Sequence, residues 1–193
     1  LPHRSLAMFP PVTSQRWPER VDRLLALDCA CVVALNRVLA HRRCTQWARW
    51  VSRLGDGESW VVLVVALAVL QGPLGARCAL HLIAVGAAGL MLYLLIKRRA
   101  CRPRPYVRLQ GLHLCTLPLD EFSFPSGHTL HAVAFAVVVS AYFPALGVVL
   151  VLFAVLTGIV RVVLGLHYPS DVLAGVAVGG AVAALSLVVM PPI

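Results

Sequence analysis

Apolar positions in this chain gather into runs of helical length, separated by polar stretches that hold most of its charge. The first run, Leu24 to Leu39, is the least uniform, because Asp28, Asn36 and Arg37 interrupt it. Helical spacing turns Asp28 inward, toward an arginine or a neighbouring helix. From His41 to Ser59, Arg42, Arg43, Arg49 and Arg53 are interleaved with Trp47 and Trp50, which predicts an amphipathic segment lying among lipid headgroups. Gly55-Asp56-Gly57 predicts a turn. The second run, Trp60 to Leu70, is short unless its helix extends into the flanking polar residues, and Gly72-Pro73-Leu74-Gly75 predicts a tight reversal after it. Leu80 to Ile96 is the third run and stops at Lys97-Arg98-Arg99. Beyond a long polar connection, Thr129 to Phe143 is the fourth, Pro144 breaks it, and Ala145 to Leu164 is the fifth. Asp171 to Met190 is the sixth, opening at Pro169-Ser170, a proline and cap pair suited to a helix start.

Composition turns these runs into membrane spans. The chain is 60% hydrophobic and 13% charged, with mean hydropathy +0.84, too apolar for an ordinary soluble domain. An all-α, polytopic membrane protein is expected, with room in 193 residues for roughly six spans of about 20 residues and therefore a single domain over 1–193. Residues 1–23, with several prolines and arginines and Trp17, read as an interfacial lead-in. Leu1-Pro2-His3-Arg4 lacks the charged start and clean apolar stretch of a cleavable leader, so none is expected. Gly175 and Gly179 form a GxxxG on the sixth run, suited to packing inside the bundle more than to a dimer seam. Nothing in the sequence specifies the oligomeric state.

The net charge is +9, with a pI near 10.0. Arginines at the headgroups account for part of it. Nucleic acid is excluded as a partner, because the basic residues sit at the ends of apolar runs and no basic module interleaved with aromatics is present. The remainder suits an anionic substrate. The six cysteines show no CxxC pair and no metal-ligand spacing, and most read as small apolar fillers. Cys101 and Cys115 share the connection between Lys97 and His128 and would be able to pair in an oxidising compartment.

Counting crossings brings the ends of four runs to one membrane face: Lys97 closing the third, Ser126-Gly127-His128 opening the fourth, Arg161 near the end of the fifth, and Asp171 opening the sixth. Singly, each has a plain reading as a topology signal, an interfacial side chain or a helix cap. Together they form a set for moving a phosphoryl group. Lys97, the chain's only lysine, with Arg104 and Arg161 supplies three cations from separate segments, arginine as a fork of donors and lysine as a compact charge. Ser126 and Gly127 open a helix whose N–H groups face an anion, and glycine lets that anion come close. His167 followed four residues later by Asp171 forms an orienting pair that frees one ring nitrogen as a nucleophile. His128 is placed to act as general acid and then general base. His131 suits packing or the pocket wall, Tyr106 the pocket mouth, and Asp120 and Glu121 a solvated loop edge. No cofactor and no metal is expected, since no further carboxylate or histidine stands at metal-ligand spacing.

Three motifs in order, Lys97-x6-Arg104-Pro105, Pro125-Ser126-Gly127-His128 and Arg161-x5-His167-x3-Asp171, resemble those of type 2 phosphatidic acid phosphatases, the lipid phosphate phosphatases. The resemblance covers residues 97–171. It implies a six-helix membrane bundle with its active site at one membrane face, and a phospho-histidine on His167 supported by Asp171. His128 is implied as acid and base, and phosphate held by Lys97, Arg104, Ser126, Gly127 and Arg161. The implied substrates are lipid phosphate monoesters or pyrophosphates, of the phosphatidic acid, phosphatidylglycerol phosphate or undecaprenyl pyrophosphate type. Small size and short loops suggest a bacterial protein. Arg42, Arg43, Arg49, Arg53 and the 97–108 cluster would put the site face in the cytoplasm by the positive-inside rule, whereas the resemblance to bacterial relatives implies an inner membrane with the site on the periplasmic side. The chain departs from the pattern at Val160, where the family usually has a serine, and a phosphate hydrogen bond is lost there. The competing reading is a non-hydrolytic protein that binds or translocates phospholipid; it needs the cations but not the nucleophile and its carboxylate.

Overall fold

The computed structural model describes residues 19–116, 118 and 120–192. Among these the chain is helical, with α1 (Glu19–Asn36), α2 (Arg42–Leu54), α3 (Gly57–Leu70), α4 (Gly72–Ala100), α5 (Pro105–Arg108), α6 (Gly127–Tyr142), α7 (Pro144–Val163) and α8 (Pro169–Val189). No strand forms among the described residues, and one isolated bridge joins Pro103 to Phe122. Most of the expected lead-in lies outside the described residues.

Each apolar run became a helix, with informative differences at the ends. α3 extends back to Gly57, with Asp56 in an extended conformation at the N-cap position and its side chain left free of a capping bond. The expected reversal at Gly72-Pro73-Leu74-Gly75 is instead the first turn of α4, where Pro73 occupies a position in which its missing N–H costs nothing. α4 therefore runs 29 residues, long enough to carry Lys97 to its polar end. α1 continues through a short 3-10 turn and then bends by 115° into the amphipathic α2. Among the described residues three helices, α4, α7 and α8, are long and apolar enough to cross a membrane, and the bent α1–α2 pair passes as a fourth. The remaining two expected spans are the shorter apolar helices α3 and α6, of 14 and 16 residues.

α6 stands at the centre, packed against α4, α7 and α8. Leu130, Ala132, Ala134, Ala136, Val138 and Val139 are buried along it, and Phe135 meets Trp60 of α3 edge to face at 5.0 Å. The outer faces are apolar instead of polar: Val188 and Val189 on α8 and Val69 and Leu70 on α3 are exposed. An apolar exterior of this kind faces lipid, not water. Away from the motif residues, His81 of α4 is buried and tied across the bundle. Ser186 already donates to the Ala183 carbonyl, so His81 Nε2–H donates to Ser186 Oγ at 2.9 Å, and the Tyr142 hydroxyl donates to Nδ1 at 3.1 Å. Such a tie satisfies a polar ring inside an apolar bundle.

The GxxxG packs inside the bundle. A Cβ added at Gly175 would lie 2.7 Å from the Ser126 carbonyl oxygen and 3.2 Å from Thr129 Cβ, so α6 and α8 touch through this glycine. Gly180, one position beyond the motif, meets nothing within 4 Å. Gly175→Val should lower the thermal unfolding midpoint in detergent, at a cost of about 1–3 kcal/mol for overpacking. Gly180→Ala, which adds a methyl in open space within a helix, should hold or raise it, and an equal loss for the two would contradict this packing.

Candidate active site

The turn between α7 and α8 delivers His167. Gly165 takes a φ of +67°, which glycine adopts freely, and the Leu166 and His167 N–H groups fold back onto the Arg161 carbonyl. The His167 ring is buried, and its Nδ1–H donates to the Ser123 carbonyl at 2.7 Å. A carbonyl only accepts, so Nδ1 carries the proton and Nε2 keeps its lone pair. Nε2 accepts from Arg104 Nη1 at 3.2 Å.

Asp171 is not the direct partner that the i, i+4 spacing suggested. Its Oδ2 stands 3.8 Å from His167 Nδ1, beyond hydrogen-bond range, and acts on the ring only as a nearby charge. Oδ2 instead accepts the Tyr168 N–H at 2.8 Å and closes the capping box at the start of α8. Oδ1 accepts from Arg102 Nη1 at 2.6 Å. Arg102 also donates to Ser170 Oγ and, at 2.8 Å, to Asp28 Oδ2, and lies 4.0 Å from the Tyr168 ring centroid. Asp28 thus does turn inward to an arginine.

The expected cations converge, and a carboxylate joins them. Lys97 Nζ is 2.5 Å from Asp120 Oδ1, and Arg104 Nη2 is 2.7 Å from the same atom. The Tyr93 hydroxyl donates to Asp120 Oδ2 at 2.7 Å and receives a bond from Lys97. Burial alone would raise the Asp120 carboxyl, but the bonds from Lys97, Tyr93 and Arg104 hold it well below the ordinary carboxylate range. Asp120 is therefore part of the site and not a solvated loop edge. Arg104 further donates to the Asp120 and Leu166 carbonyls, at 3.0 and 2.8 Å, which fixes its planar fork beside His167.

Helix α6 opens on the opposite wall. The Ser126 N–H, expected to face an anion, donates instead to the Asp171 carbonyl at 3.0 Å, and its hydroxyl pairs with Thr129. Gly127 does line the site, and a Cβ there would come within 2.9 Å of the Tyr93 ring. His128 Nε2–H donates to Asp56 Oδ1 at 2.8 Å, across 72 positions of sequence. The ring also lies against Gly55, where a Cβ would approach it to 3.2 Å, so the Gly55-Asp56-Gly57 turn is shaped around this histidine. Arg161 is buried and donates Nη1 to Ser52 Oγ of α2 at 2.8 Å, while its Nε has no partner among the described residues. Val160, in the usual serine position, packs into an apolar cluster with Leu39, Val51 and Leu164. A serine contact to Arg161 thus comes from α2.

Arg104, Gly127, His128, Arg161 and His167 line one cavity of about 500 Å³, with Tyr93, Asp120 and Asp56. Its far wall is apolar, formed by Trp60, Val61, Leu90 and Phe135. Lys97 stands behind Asp120, and Asp171 behind His167. His131 lines the cavity while its Nδ1–H donates to the Gly127 carbonyl, so both readings of it hold. Tyr106 packs in the cluster beside Leu39, away from the mouth expected for it. All six cysteines are free thiols, Cys101 and Cys115 included.

The three ordered motifs and this geometry agree with what the chain resembles. The PAP2 superfamily pattern matches residues 78–192, and the chain belongs to that superfamily. It is 34% identical over 158 residues to a lipid A 1-phosphatase of Rhizobium etli, covering 70% of this chain and 67% of that protein. It is 31% identical over 120 residues to the undecaprenyl-diphosphatase BcrC of Bacillus subtilis, and spans 62% of that protein's length. Among solved structures, a transmembrane PAP2-type phosphatidylglycerolphosphate phosphatase from Bacillus subtilis superimposes with a TM-score of 0.69 at 25% identity, covering 86% of this chain and 85% of that one. LpxE of Aquifex aeolicus gives 0.62 at 27% identity, covering 76% and 87%.

His167 gives the site a pH signature. Burial first, then the Arg161 and Arg104 charges, hold its imidazole well below the ordinary value of 6.5. The folded state keeps the ring neutral where the unfolded chain takes up a proton, so this group costs stability as pH falls below about 6.5 and nothing above it. Between pH 7.5 and 5.5 the wild type should lose up to about 1.4 kcal/mol more than His167→Gln, read from unfolding midpoints in detergent. Equal losses would show that His167 is not held neutral.

Proposed function

We propose that this multi-pass membrane protein is a lipid phosphate phosphatase that works through a phospho-histidine on His167. The support comes from His167 itself: its Nε2 keeps a lone pair beside a cavity walled by two buried arginines, and a second histidine, His128, lines the same cavity with its Nε2–H held by Asp56. A protein that only bound phospholipid would need the arginines but no such freed nitrogen.

Phosphate oxygens are held by Arg104 and Arg161, with the Gly127 N–H at the start of α6, and Lys97 adds its charge through the shared Asp120. His167 Nε2 attacks phosphorus, and the bond to the lipid oxygen breaks as His128 supplies a proton. His128 acts as an imidazolium: Asp56 accepts its Nε2–H and favours that charge, and the proton on Nδ1 is the one passed to the leaving oxygen. Water then attacks the phosphorus–nitrogen bond, giving its proton to His128 and releasing inorganic phosphate. Asp171 supports this chemistry through charge and by fixing the α8 start. No metal or cofactor enters these steps. Substrates of the phosphatidic acid, phosphatidylglycerol phosphate or undecaprenyl pyrophosphate type fit a site with a polar floor and an apolar wall.

Brief exposure to a lipid substrate labelled on the reacting phosphate should leave acid-labile label on the wild type and far less on His128→Ala, which lacks the proton for the leaving oxygen. His167→Ala should carry none and release no phosphate, and a chelator should leave wild-type turnover intact. Label retained in His167→Ala would sink the mechanism.

The site belongs on the periplasmic side of a bacterial inner membrane in this reading. Arg102, Arg104 and Arg161 are engaged by the site, so they do not count toward a cytoplasmic assignment by positive charge. Cys101 is exposed at the polar end of α4. In a variant keeping it as the only cysteine, a membrane-impermeant thiol reagent should label intact spheroplasts. Labelling only after lysis would reverse the orientation.

A further inference from the structure

Beside the main cavity lies a smaller one, of about 130 Å³, that the mechanism does not use. The two share Asp56, His128 and Arg161, so the smaller one opens from the side of the site where His128 meets the leaving oxygen. Arg49, Ser52 and Arg53 reach it from the last turns of α2, at spacings of three and four residues from Arg49, and Asp56 reaches it from the turn that follows. Arg49 and Arg53 are exposed, and neither pairs with a carboxylate among the described residues. Arg161, 95% buried, borders both cavities with its Nε unpartnered among the described residues. A buried guanidinium N–H without an acceptor marks a place where an anion gains.

We propose that Arg49 and Arg53, with Arg161, form a second anion subsite for a phosphate that remains on the lipid, so that α2 selects lipid diphosphates over phosphate monoesters. The inference rests on the phosphatase reading above. In a diphosphate the group attached to the leaving oxygen is itself a phosphate, and it is the first group to meet the side cavity next to His128. His167 Nε2 attacks the terminal phosphorus, and the bond from that phosphorus to the bridging oxygen breaks. The oxygen leaves on the inner phosphate with the proton from His128, and water then frees the terminal phosphate. Arg49 and Arg53 face the negative charge that builds on the inner phosphate in the transition state, before the proton from His128 is fully transferred, which is where added cations speed the step. A monoester has an alcohol or glycerol in that place and draws nothing from them.

The full chain in detergent, assayed on farnesyl diphosphate and farnesyl monophosphate, separates the possibilities because the two share a tail. Arg49→Gln/Arg53→Gln should lower kcat/KM for the diphosphate by about tenfold or more, the scale for losing a charged contact, with the monophosphate changed less than about twofold. Arg53→Lys should lose less than Arg53→Gln, and unfolding midpoints should stay at the wild-type value. Equal losses on both substrates, or none on either, would overturn the subsite while leaving the phosphatase reading intact. A wild type that hydrolyses neither would remove that reading and the subsite with it.

Discussion

A carboxylate with no exposed surface has to be paired, and in this protein the pairing of Asp171 holds the site's parts in register. Arg102 reaches it from the chain after α4, Tyr168 donates from the turn before α8, and its carbonyl takes the Ser126 N–H at the head of α6. The same guanidinium continues to Asp28, which binds Ser170 in turn and so draws α1 onto the start of α8. Removing one member would leave a buried charge uncompensated, a loss far larger than that of an exposed ion pair. The motif residues gather because this junction allows the helix ends only one mutual arrangement.

Around that junction the basic side chains are distributed among carboxylates from different segments. Asp120 serves Lys97 and Arg104, Asp56 serves His128, and Asp28 and Asp171 share Arg102. None of these aspartates neighbours its partner in sequence except Asp171, whose link to His167 is the loosest of the set. The electrostatics of the site and the packing of the bundle are thus the same set of contacts. The glycine contact between α6 and α8 belongs to it too, since Gly175 abuts the carbonyl of Ser126.

Much of the fold could be read from hydropathy, because a bilayer forces apolar residues into helical runs whose ends are polar. The exceptions lie where runs meet: a proline-glycine stretch reads as a reversal in isolation, but with α3 ending at Leu70 it serves as the first turn of α4. The site's donors were legible as motifs because their spacing is local. Their partners were not. Asp56 lies 72 positions from His128, and Ser52 lies 109 from Arg161; no periodicity links such pairs, and only the fold brings them together. Ser123 was invisible for another reason, because it acts through its backbone carbonyl, which any residue possesses. Asp120, next to Glu121 in a polar connection, read as a loop edge because only the fold brings Lys97 and Arg104 to it.

Asp120 gives the site a property that a list of its cations hides. A pocket holding Lys97 and Arg104 without a counter-ion would act as a trap for inorganic phosphate, the product it must shed. With a carboxylate already bridging the two, the pocket works as an ion exchanger. Under the proposed mechanism an arriving phosphate takes over the Arg104 bond that Asp120 was making, and a departing one hands it back. The depth of the well that product must climb out of is set by the difference between two anions, not by the full strength of either.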